Sequence, residues 1–347
     1  MSTATGAHTI LVYRWEDEGE YNQDPGDVTD DVNKIFGAGE TMDSQDRANN
    51  AERLFGPFDR STDVIIEQQF EGDWSIDFTL TNTWWLQFLF GEPDTSGEAP
   101  ATHEYSLDPR AAPRTAHIIE EIHYPDGDVH QTVYKGVAAS SADLDVSTED
   151  VVDGSIDGFY ADEVLYEDPE ANSPYGEIGT QPETEYRPMH FGNSELRMDL
   201  DDDGTAEFLG LVQDASISME ANAEQTYELG TRFVASPQYL QFEPDVDYTR
   251  IVDQNSKEEE RRAAAYGSMA ADSPQETIAD GDIDGEFNFE NAVDGDDNKL
   301  EIDLIGAFPD DFSRSGVGDP EEALEDDVTR LVRDLELTVT SDMESPP

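Results

Sequence analysis

The sequence has no cysteine and very little positive charge. Among its 347 residues, 19 Lys and Arg, of which only four are lysine, stand against 82 Asp and Glu. The lack of cysteine excludes disulfide bonds, thiolate zinc sites and cysteine nucleophiles. The scarcity of Lys and Arg excludes a basic patch that would bind nucleic acid by neutralising its phosphates.

Long apolar runs are also missing. A membrane helix needs about 20 apolar residues. The densest apolar stretch, "TWWLQFLFGEP" from Thr83, ends at Gly91 and Pro93 after about half that length. The first 20 residues have no basic segment ahead of their short apolar run, so no secretory signal is predicted. We therefore expect no membrane insertion.

The formal net charge is -63, yet the chain is 36% hydrophobic and 10% aromatic. Disordered acidic tails lack such apolar content, so the charge is expected on a folded surface. At about 1 M salt the screening length falls to about 3 Å, which relieves the self-repulsion. Because the carboxylates are spread along the chain rather than gathered in blocks, they favour a protein from a salt-loving host over an acidic calcium-storage protein.

Most of the chain alternates apolar and polar residues in the manner of strands with one buried face. Leu335, Leu337 and Val339, for example, alternate with Glu336 and Thr338. This period of two predicts antiparallel sheets in a mainly β barrel or sandwich. The predicted strands are residues 62–70, 74–81, 115–124, 129–136, 196–200, 206–212, 299–308 and 330–340.

Short motifs recur in the same order at a spacing of about 173 residues. The pairs include "QFEGD" and "QFEPD" at Phe70 and Phe242, and "YKGVA" and "LIGAF" at Gly136 and Gly306. Such self-similarity predicts two tandem copies of one β-rich unit. The predicted organisation is an N-terminal arm (1–30), a first unit (31–168), a Pro-containing linker with a bridging strand (169–204) and a second unit (205–347).

Each unit is predicted to carry one flanking α-helix. Residues 83–91 would begin at the cap Thr83 and end before Gly91. Residues 256–267 would begin with a capping box of Ser256 and Glu259. The first helix is aromatic and the second is charged. We expect the first to need a neighbouring subunit or unit to cover its whole circumference, and the second to face solvent.

One histidine cluster would suit a metal ion. His117, Glu121 and His123 share a face of a predicted strand, and a four-residue turn would set His130 opposite His123. Imidazoles with a carboxylate can hold a zinc-like cation. A polar hairpin face is the favoured interpretation, so no metal ligand is predicted here.

Two acidic segments begin like calcium loops. "DLDDDG" contains Asp199, Asp201, Asp203 and Gly204, but its twelfth position is Gly210 instead of the required Glu. "DGDIDG" (280–285) fails in the same way, with Asn291 at its twelfth position. Both are predicted to be acidic turns. No nucleophile or phosphate-binding motif is present, so we predict no catalytic residue, no cofactor and no enzyme.

The order of several segments resembles the tail tube proteins of tailed viruses, particularly those that infect haloarchaea. The resemblance covers about residues 6–166 and extends more faintly through the repeat to the C-terminus. The segments are "GAHT", "IFGAGETMDSQDRANNAERLFG", "IIEQQFEGDWSIDFTL", "TWWLQFLFGEP", "THEYSL", "PRTAHIIEEI" and "VYKGVAASSADLDVS".

This resemblance implies a structural virion protein built on small β units whose sheets join around a ring. Family members with one unit per chain close as hexamers, so two units per chain imply a trimeric, pseudo-hexameric ring, with a hexamer of chains as the alternative. The stacked rings would form an acidic conduit for double-stranded DNA, contact other tail and connector proteins, and assemble in the host cytoplasm. Residues 1–30, the linker and 309–327 are candidates for contacts between rings.

Two other functions stay open on the sequence. A secreted or surface-exposed halophilic β-sandwich that binds carbohydrate would expose Trp74, Trp84 and Trp85 as sugar platforms. A halophilic hydrolase would use a pair of carboxylates, although acidic pairs are too common in this chain to identify one.

Overall fold

The structure is a computed structural model. It describes residues 9–17, 20–25, 32–48, 51–55, 62–98, 100–107, 113–148, 150–182, 187–200, 205–209, 211–252, 258–266, 270–274, 283–291, 298–317 and 323–341.

The first part of the chain, up to residue 182, is mainly β, as predicted. Its strands are β1 (Thr9–Trp15), β2 (Ala38–Ala48), β3 (Ala51–Phe55), β4 (Thr62–Glu67), β5 (Glu71–Thr79), β6 (Asp94–Ser96), β7 (Ala101–Ser106), β8 (Ala116–His123), β9 (Val129–Ser147), β10 (Asp153–Tyr160) and β11 (Asp162–Tyr166). Its helices are α1 (Gln87–Phe90), preceded by a 3-10 turn, and α2 (Pro169–Asn172).

The second part, from residue 187, has the same character. Its strands are β12 (Glu195–Met198), β13 (Glu207–Phe208), β14 (Leu211–Glu220), β15 (Ala223–Tyr227), β16 (Val234–Tyr239), β17 (Glu243–Ile251), β18 (Ile283–Glu290), β19 (Lys299–Ser315) and β20 (Glu325–Ser341), and its helix is α3 (Glu259–Tyr266). None of the described helices has the length and apolarity to cross a membrane.

Sixteen strands join into one sheet, whose main path runs β13-β12-β18-β19-β20-β17-β14-β9-β10-β5-β2. The path has two ends, so the described strands form an open sheet and not a closed barrel. Strands β3 and β4 form a separate hairpin, and so do β15 and β16. The two parts of the chain meet where β9 pairs antiparallel with β14, and again where β7 pairs antiparallel with β20.

The two parts repeat one order of strand pairing. In the first, neighbours run β1-β8-β9-β10-β5-β2; in the second, they run β12-β18-β19-β20-β17-β14. The irregularities repeat as well. Gly136 in β9 and Gly306 in β19 both have positive φ, of 59° and 68°. Ser140 and Asp310 are both the extra residue of a bulge in these strands. These matches support the predicted duplication.

The aromatic segment is buried within its own chain. Trp85, Leu86 and Phe88 have no exposed surface. The ring of Phe88 lies 4.6 Å from Trp15 and stacks on Phe36 at 5.8 Å. No neighbouring subunit is needed to cover this segment, because β1, β5 and the loop before β2 enclose it. The other expected partner, the second unit, does take part, since the ring of Phe242 lies 5.3 Å from that of Phe90. The segment ends at Gly91 as predicted, but the Thr83 side chain makes no capping hydrogen bond.

The charged helix α3 is also packed against the sheet and does not simply face solvent as predicted. Glu260 is fully buried, and its carboxylate accepts hydrogen bonds from Arg330 Nη2 at 2.5 Å and from Tyr248 at 2.6 Å. Ala263 and Ala264 are buried beside it. Both hydrogen bonds go to Oε1 of Glu260. Composition alone does not reveal such a buried ion pair. Ser256 and Gly267 lie outside the described residues.

Three segments predicted as arms or loops are more ordered than expected. Within the predicted arm 1–30, Thr9–Trp15 is β1, which pairs with β8. Within 309–327, residues 309–315 and 325–327 extend the hairpin of β19 and β20, because their strand pairing continues past the bulge. Residues 173–182 of the predicted linker pack on β1, β8 and β9 through polar contacts described below.

Replacing Phe88 with alanine should destabilise the single chain. Removing a fully buried phenylalanine costs about 3–5 kcal/mol, so Phe88→Ala should lower the free energy of unfolding by about that amount in urea titrations at fixed salt. Trp84→Ala is the control, because Trp84 is half-buried and should cost less. Equal losses in the two variants would contradict the packing described for this segment.

Candidate functional site

One face of the central sheet is acidic. Eight strands, in the order β2-β5-β10-β9-β14-β17-β20-β19, turn alternate residues to this side, and their other residues enter the core. We call this side the acidic face. Its carboxylates are Asp73, Asp77, Asp143, Asp145, Asp153, Asp157, Asp214, Glu220, Glu243, Asp245, Asp247 and Asp327.

Carboxylates and hydroxyls alternate across several of the strands. One row of directly opposed residues reads Asp77, Ser155, Asp143, Ser218 and Asp245. Like charges placed directly opposite each other on a sheet are destabilising. Placing a serine between successive aspartates separates the charges while keeping this part of the face polar.

Several of the hydroxyls donate hydrogen bonds to the neighbouring carboxylates. Thr79 Oγ1 donates to Asp153 at 3.2 Å, and Thr249 Oγ1 donates to Asp327 at 2.9 Å. Ser313 Oγ donates to the other oxygen of Asp327 at 3.0 Å. These bonds stabilise the ionised carboxylates without any basic side chain.

The alternation fails at two places: Asp145 and Asp153 lie directly opposite each other in β9 and β10, and so do Glu220 and Glu243 in β14 and β17. Burial, together with the charges of Asp143 and Asp153, raises the pKa of Asp145 above its ordinary value. Two shallow clefts on the acidic face share Asp145 and Asp153. The crowding makes negative charge costly at this part of the face.

Positive charge lies on the opposite side of the same strands. Arg250 has no exposed surface, and its guanidinium lies 3.5 Å from Asp326. Arg314 Nε donates to Asp326 at 2.5 Å, and Arg314 also pairs with Glu258 next to α3. Arginine is suited to such buried, multiply hydrogen-bonded pairs. The sheet therefore holds these arginines on its core side with carboxylate partners, and it leaves the carboxylates of the acidic face outside.

Both outer edges of the eight-strand array are open. Strand β2 pairs with β5 on one side, and residues 311–315 of β19 pair with β20 on one side. Neither edge has a second strand partner among the described residues. Unpaired edges of this length invite pairing with another strand.

The predicted histidine cluster is only partly assembled. His117 is fully buried, and its Nε2 lies 2.9 Å from Glu16 while its Nδ1 lies 2.6 Å from the Tyr175 hydroxyl. The prediction for His130 is wrong, because its strand partner is Ile122, and a shift of one residue turns a side chain to the other face.

Glu121 and His123 are close together, with His123 Nε2 2.9 Å from Glu121 Oε1, and Glu177 lies within reach of the same point. The Glu121 carboxylate also accepts hydrogen bonds from the backbone nitrogens of Ile178 and Gly179, and from Gln131. These contacts fasten residues 176–179 to β8. They give Glu121 a structural role, which reasoning from the sequence missed because these partners are far from it in the chain.

The other predicted positions carry no assembled site. Asp199 is buried, and its backbone nitrogen donates to the backbone carbonyl oxygen of Asp284 at 2.9 Å. Asp201, Asp203 and Gly204 lie outside the described residues, as do residues 280–282 of the second acidic segment. Trp74 and Trp85 are buried, so they cannot serve as sugar platforms.

The acidic face itself was not predicted as a site, although its signal is in the sequence. Segments such as "SADLDVS" (141–147) and "DASISME" (214–220) alternate small polar or acidic residues with apolar ones. Each segment read alone indicates a strand with one wet face. Only the pairing of β9 with β14 shows that these wet faces are continuous.

Comparison with known proteins identifies one family. The family model described as "Phage tail tube protein" matches residues 6–339, which is nearly the whole chain. No curated protein matches the sequence.

The crowding on the acidic face leads to a stability prediction. Asp145→Asn should stabilise the chain by about 0.2–1 kcal/mol at low salt, the usual range for a cross-strand pair, and the gain should shrink as salt rises. Because the pKa of Asp145 is raised in the fold, the wild type loses stability as the pH rises above the ordinary range of aspartate. The gain should therefore vanish when the pH is lowered below that range.

The matched control is Asp143→Asn, because Asp143 lies opposite Ser155 and Ser218. Its gain should be smaller in the same urea titrations. An Asp145→Asn variant no more stable than Asp143→Asn at low salt contradicts the account of crowding.

Proposed function

Since the chain belongs to the phage tail tube protein family, a family of structural components of the virion tail, we propose that its copies close into rings that stack to form the tube. The observation that carries this proposal is the seam between β9 and β14. At this seam the two parts of one chain are joined by antiparallel strand pairing from Ser141 to Ser147 and from Asp214 to Glu220.

The repeated pairing order supports two units in each chain, joined at that seam. Strand β19 occupies in the second unit the place that β9 occupies in the first, and β2 occupies the place of β14. The open edge of β19 in one chain and the open edge of β2 in another are therefore complementary in the same way as β9 and β14. Pairing them repeats the seam between chains.

Because residues of the two units correspond one to one, the register of the seam predicts the register between chains. Within the chain, Ser141 lies opposite Glu220. The counterpart of Ser141 is Asp311, since both follow the bulge of their strand. The counterpart of Glu220 is Ala48, because Glu220 pairs with Glu243 and Ala48 pairs with Glu71. Asp311 of one chain is thus expected opposite Ala48 of the next.

A ring of six units, the number implied by the resemblance to single-unit tube proteins, needs three such chains. A ring of six chains is the alternative. Closure by edge pairing also removes the open strand edges that would otherwise promote irregular aggregation.

We further propose that the acidic face lines the lumen. Edge pairing continues that face around the ring, and its exposed carboxylates would repel the phosphates of double-stranded DNA at short range even where salt screens longer distances. DNA would then pass without being held. The excess of acidic residues supports a salt-loving host, namely an archaeal host of a tailed virus.

In this role the protein acts in the virion tail, after assembly in the host cytoplasm, with other tail and connector proteins as partners. It needs no catalytic residue, metal or cofactor. The carbohydrate-binding alternative is less well supported, because two of the three tryptophans that it would expose are buried.

Cysteine cross-linking tests the register between chains. The chain has no cysteine of its own, so Ala48→Cys combined with Asp311→Cys should form disulfides only between neighbours in an assembled sample. Directly opposed residues on paired strands have the short separation that a disulfide requires. On a denaturing non-reducing gel, a ring of three chains gives a ladder that stops at the trimer.

The positive control is Ser141→Cys with Glu220→Cys, which should close a disulfide within one chain at the equivalent position of the seam. The negative control is Ala48→Cys with Ser313→Cys, which displaces the pair by two residues. A ladder that continues to six chains supports the hexamer. Absence of cross-linked species when the control closes within the chain contradicts pairing between β19 and β2.

A further inference from the structure

An apolar pair is exposed on the second unit. Phe308 of β19 and Leu331 of β20 lie directly opposite each other, and they are 39% and 44% exposed. Isolated surface apolar residues are common, but two opposed large ones on neighbouring strands form a patch.

The counterparts of this pair in the first unit are covered. Ala138 lies opposite Phe159 at the same place relative to the bulge, and these residues are 0% and 4% exposed. Their cover is the hairpin of β15 and β16, whose Val234 is buried in the same apolar cluster, with Tyr227 and Tyr239 packed around it. A hairpin of the second unit therefore shields the first unit.

The first unit carries a matching hairpin, formed by β3 and β4. Ala51 pairs with Glu67 and Leu54 with Val64, and a register shift follows before Phe55. In β15 and β16, Ala223 pairs with Tyr239 and Thr226 with Ser236, and a register shift follows before Tyr227. This first hairpin follows β2, at the opposite end of the eight-strand array from β19.

A second difference between the units lies at the ends of the same strands. In the first unit, Leu80, Val152 and Met189 form a cycle of three backbone hydrogen bonds of 2.8 to 3.0 Å, and all three residues are fully buried. Met189 comes from the segment that precedes β12, so this segment of the second unit also covers the first unit.

In the second unit, one bond of this cycle is formed. Val252, the counterpart of Leu80, donates its backbone nitrogen to Leu324, the counterpart of Val152, at 2.9 Å. Among the described residues, no third residue completes the cycle. Val252 and Leu324 are half-buried, whereas their counterparts Leu80 and Val152 have no exposed surface. The segment equivalent to Met189 is the one that precedes β1, residues 1–8, which lie outside the described residues.

We propose that a second copy of this chain docks on this surface, which we call the receptor surface and define as Phe308, Leu331, Val252 and Leu324. Its β3–β4 hairpin covers Phe308 and Leu331, and its residues 1–8 complete the cycle at Val252 and Leu324. The inference rests on the proposed ring, and it extends that proposal because it adds two contacts beyond the strand edges. Within the chain, the second unit covers the first. In both proposed contacts, the first unit of one copy covers the second unit of the neighbouring copy.

The hairpin contact is tested with Leu331→Glu. Leu331 is 44% exposed and lies directly opposite Asp245, so the new glutamate adds one like-charge cross-strand pair. In high salt, which screens that pair, the melting temperature of unassembled protein should fall only slightly. The charge would be buried under the hairpin of a neighbour, so the protein concentration needed for assembly, measured by sedimentation, should rise at least tenfold. Leu229→Glu is the control, because Leu229 is fully exposed in a turn outside this surface.

Assembly of Leu331→Glu at the concentration required by the Leu229→Glu control overturns the hairpin contact. If the Ala48–Asp311 cross-link still forms in that sample, the ring proposal stands and only this inference fails. If the protein with Ala48→Cys and Asp311→Cys gives no cross-links between chains, either alone or combined with these substitutions, both proposals fail together.

The contact of residues 1–8 is tested by mixing single-cysteine proteins. One carries Ala323→Cys, because its counterpart Val151 bridges to His190 beside Met189. The others carry one cysteine each at positions 4 to 8. Each mixture of the Ala323→Cys protein with one of the others should form disulfide-linked heterodimers, and their yield should be highest at one of the positions 4 to 8. The yield of dimers from each protein alone gives the background. The control, Val151→Cys with His190→Cys, should close within one chain.

A heterodimer peak supports docking of residues 1–8 on the neighbour. Cross-linking no higher than the background at every position overturns it. A double variant with both cysteines in one chain that closes without a gain in size also overturns it, because residues 1–8 then cover their own chain.

Discussion

The whole arrangement depends on the backbone pairing of β9 with β14. This seam joins the two parts of the chain by main-chain hydrogen bonds between residues 141–147 and 214–220. It brings Leu144 and Ile217 into one apolar core on one side of the sheet, and it makes the acidic surfaces of the two parts continuous on the other. It also leaves β2 and β19 as the outer edges of the eight-strand array, and we propose that these edges repeat the same contact between chains.

The charge of the chain is tolerated because of where the sheet places it. On the outward side, hydroxyls lie between carboxylates across the strands and donate hydrogen bonds to several of them. On the inward side, Arg250 and Arg330 are buried and paired with Asp326 and Glu260. An isolated buried charge would be very costly, so these pairs explain how a chain with so few basic residues uses them in its core. The carboxylates of the outward side support the repulsive role proposed for it.

Much of the fold could be predicted from the sequence, because strand alternation and the repeated motifs are local signals. The strands near residues 116–123, 129–147 and 299–315 and the repeated glycines at 136 and 306 are examples. Other features depend on distant partners. The cover of Phe88, the burial of Glu260 beneath α3 and the fastening of residues 176–179 by Glu121 each join segments that no periodicity connects. The face occupied by His130 depended on a one-residue register, which a turn motif does not fix.

A cryo-electron microscopy map of the assembled protein in high salt tests the central claim most directly. The account predicts a ring in which residues 311–315 of β19 from one chain continue the sheet into β2 of the next, with Asp143, Asp145 and Asp245 facing the lumen. A map in which neighbouring chains meet through other surfaces, or in which the acidic face lies on the outside of the tube, contradicts it.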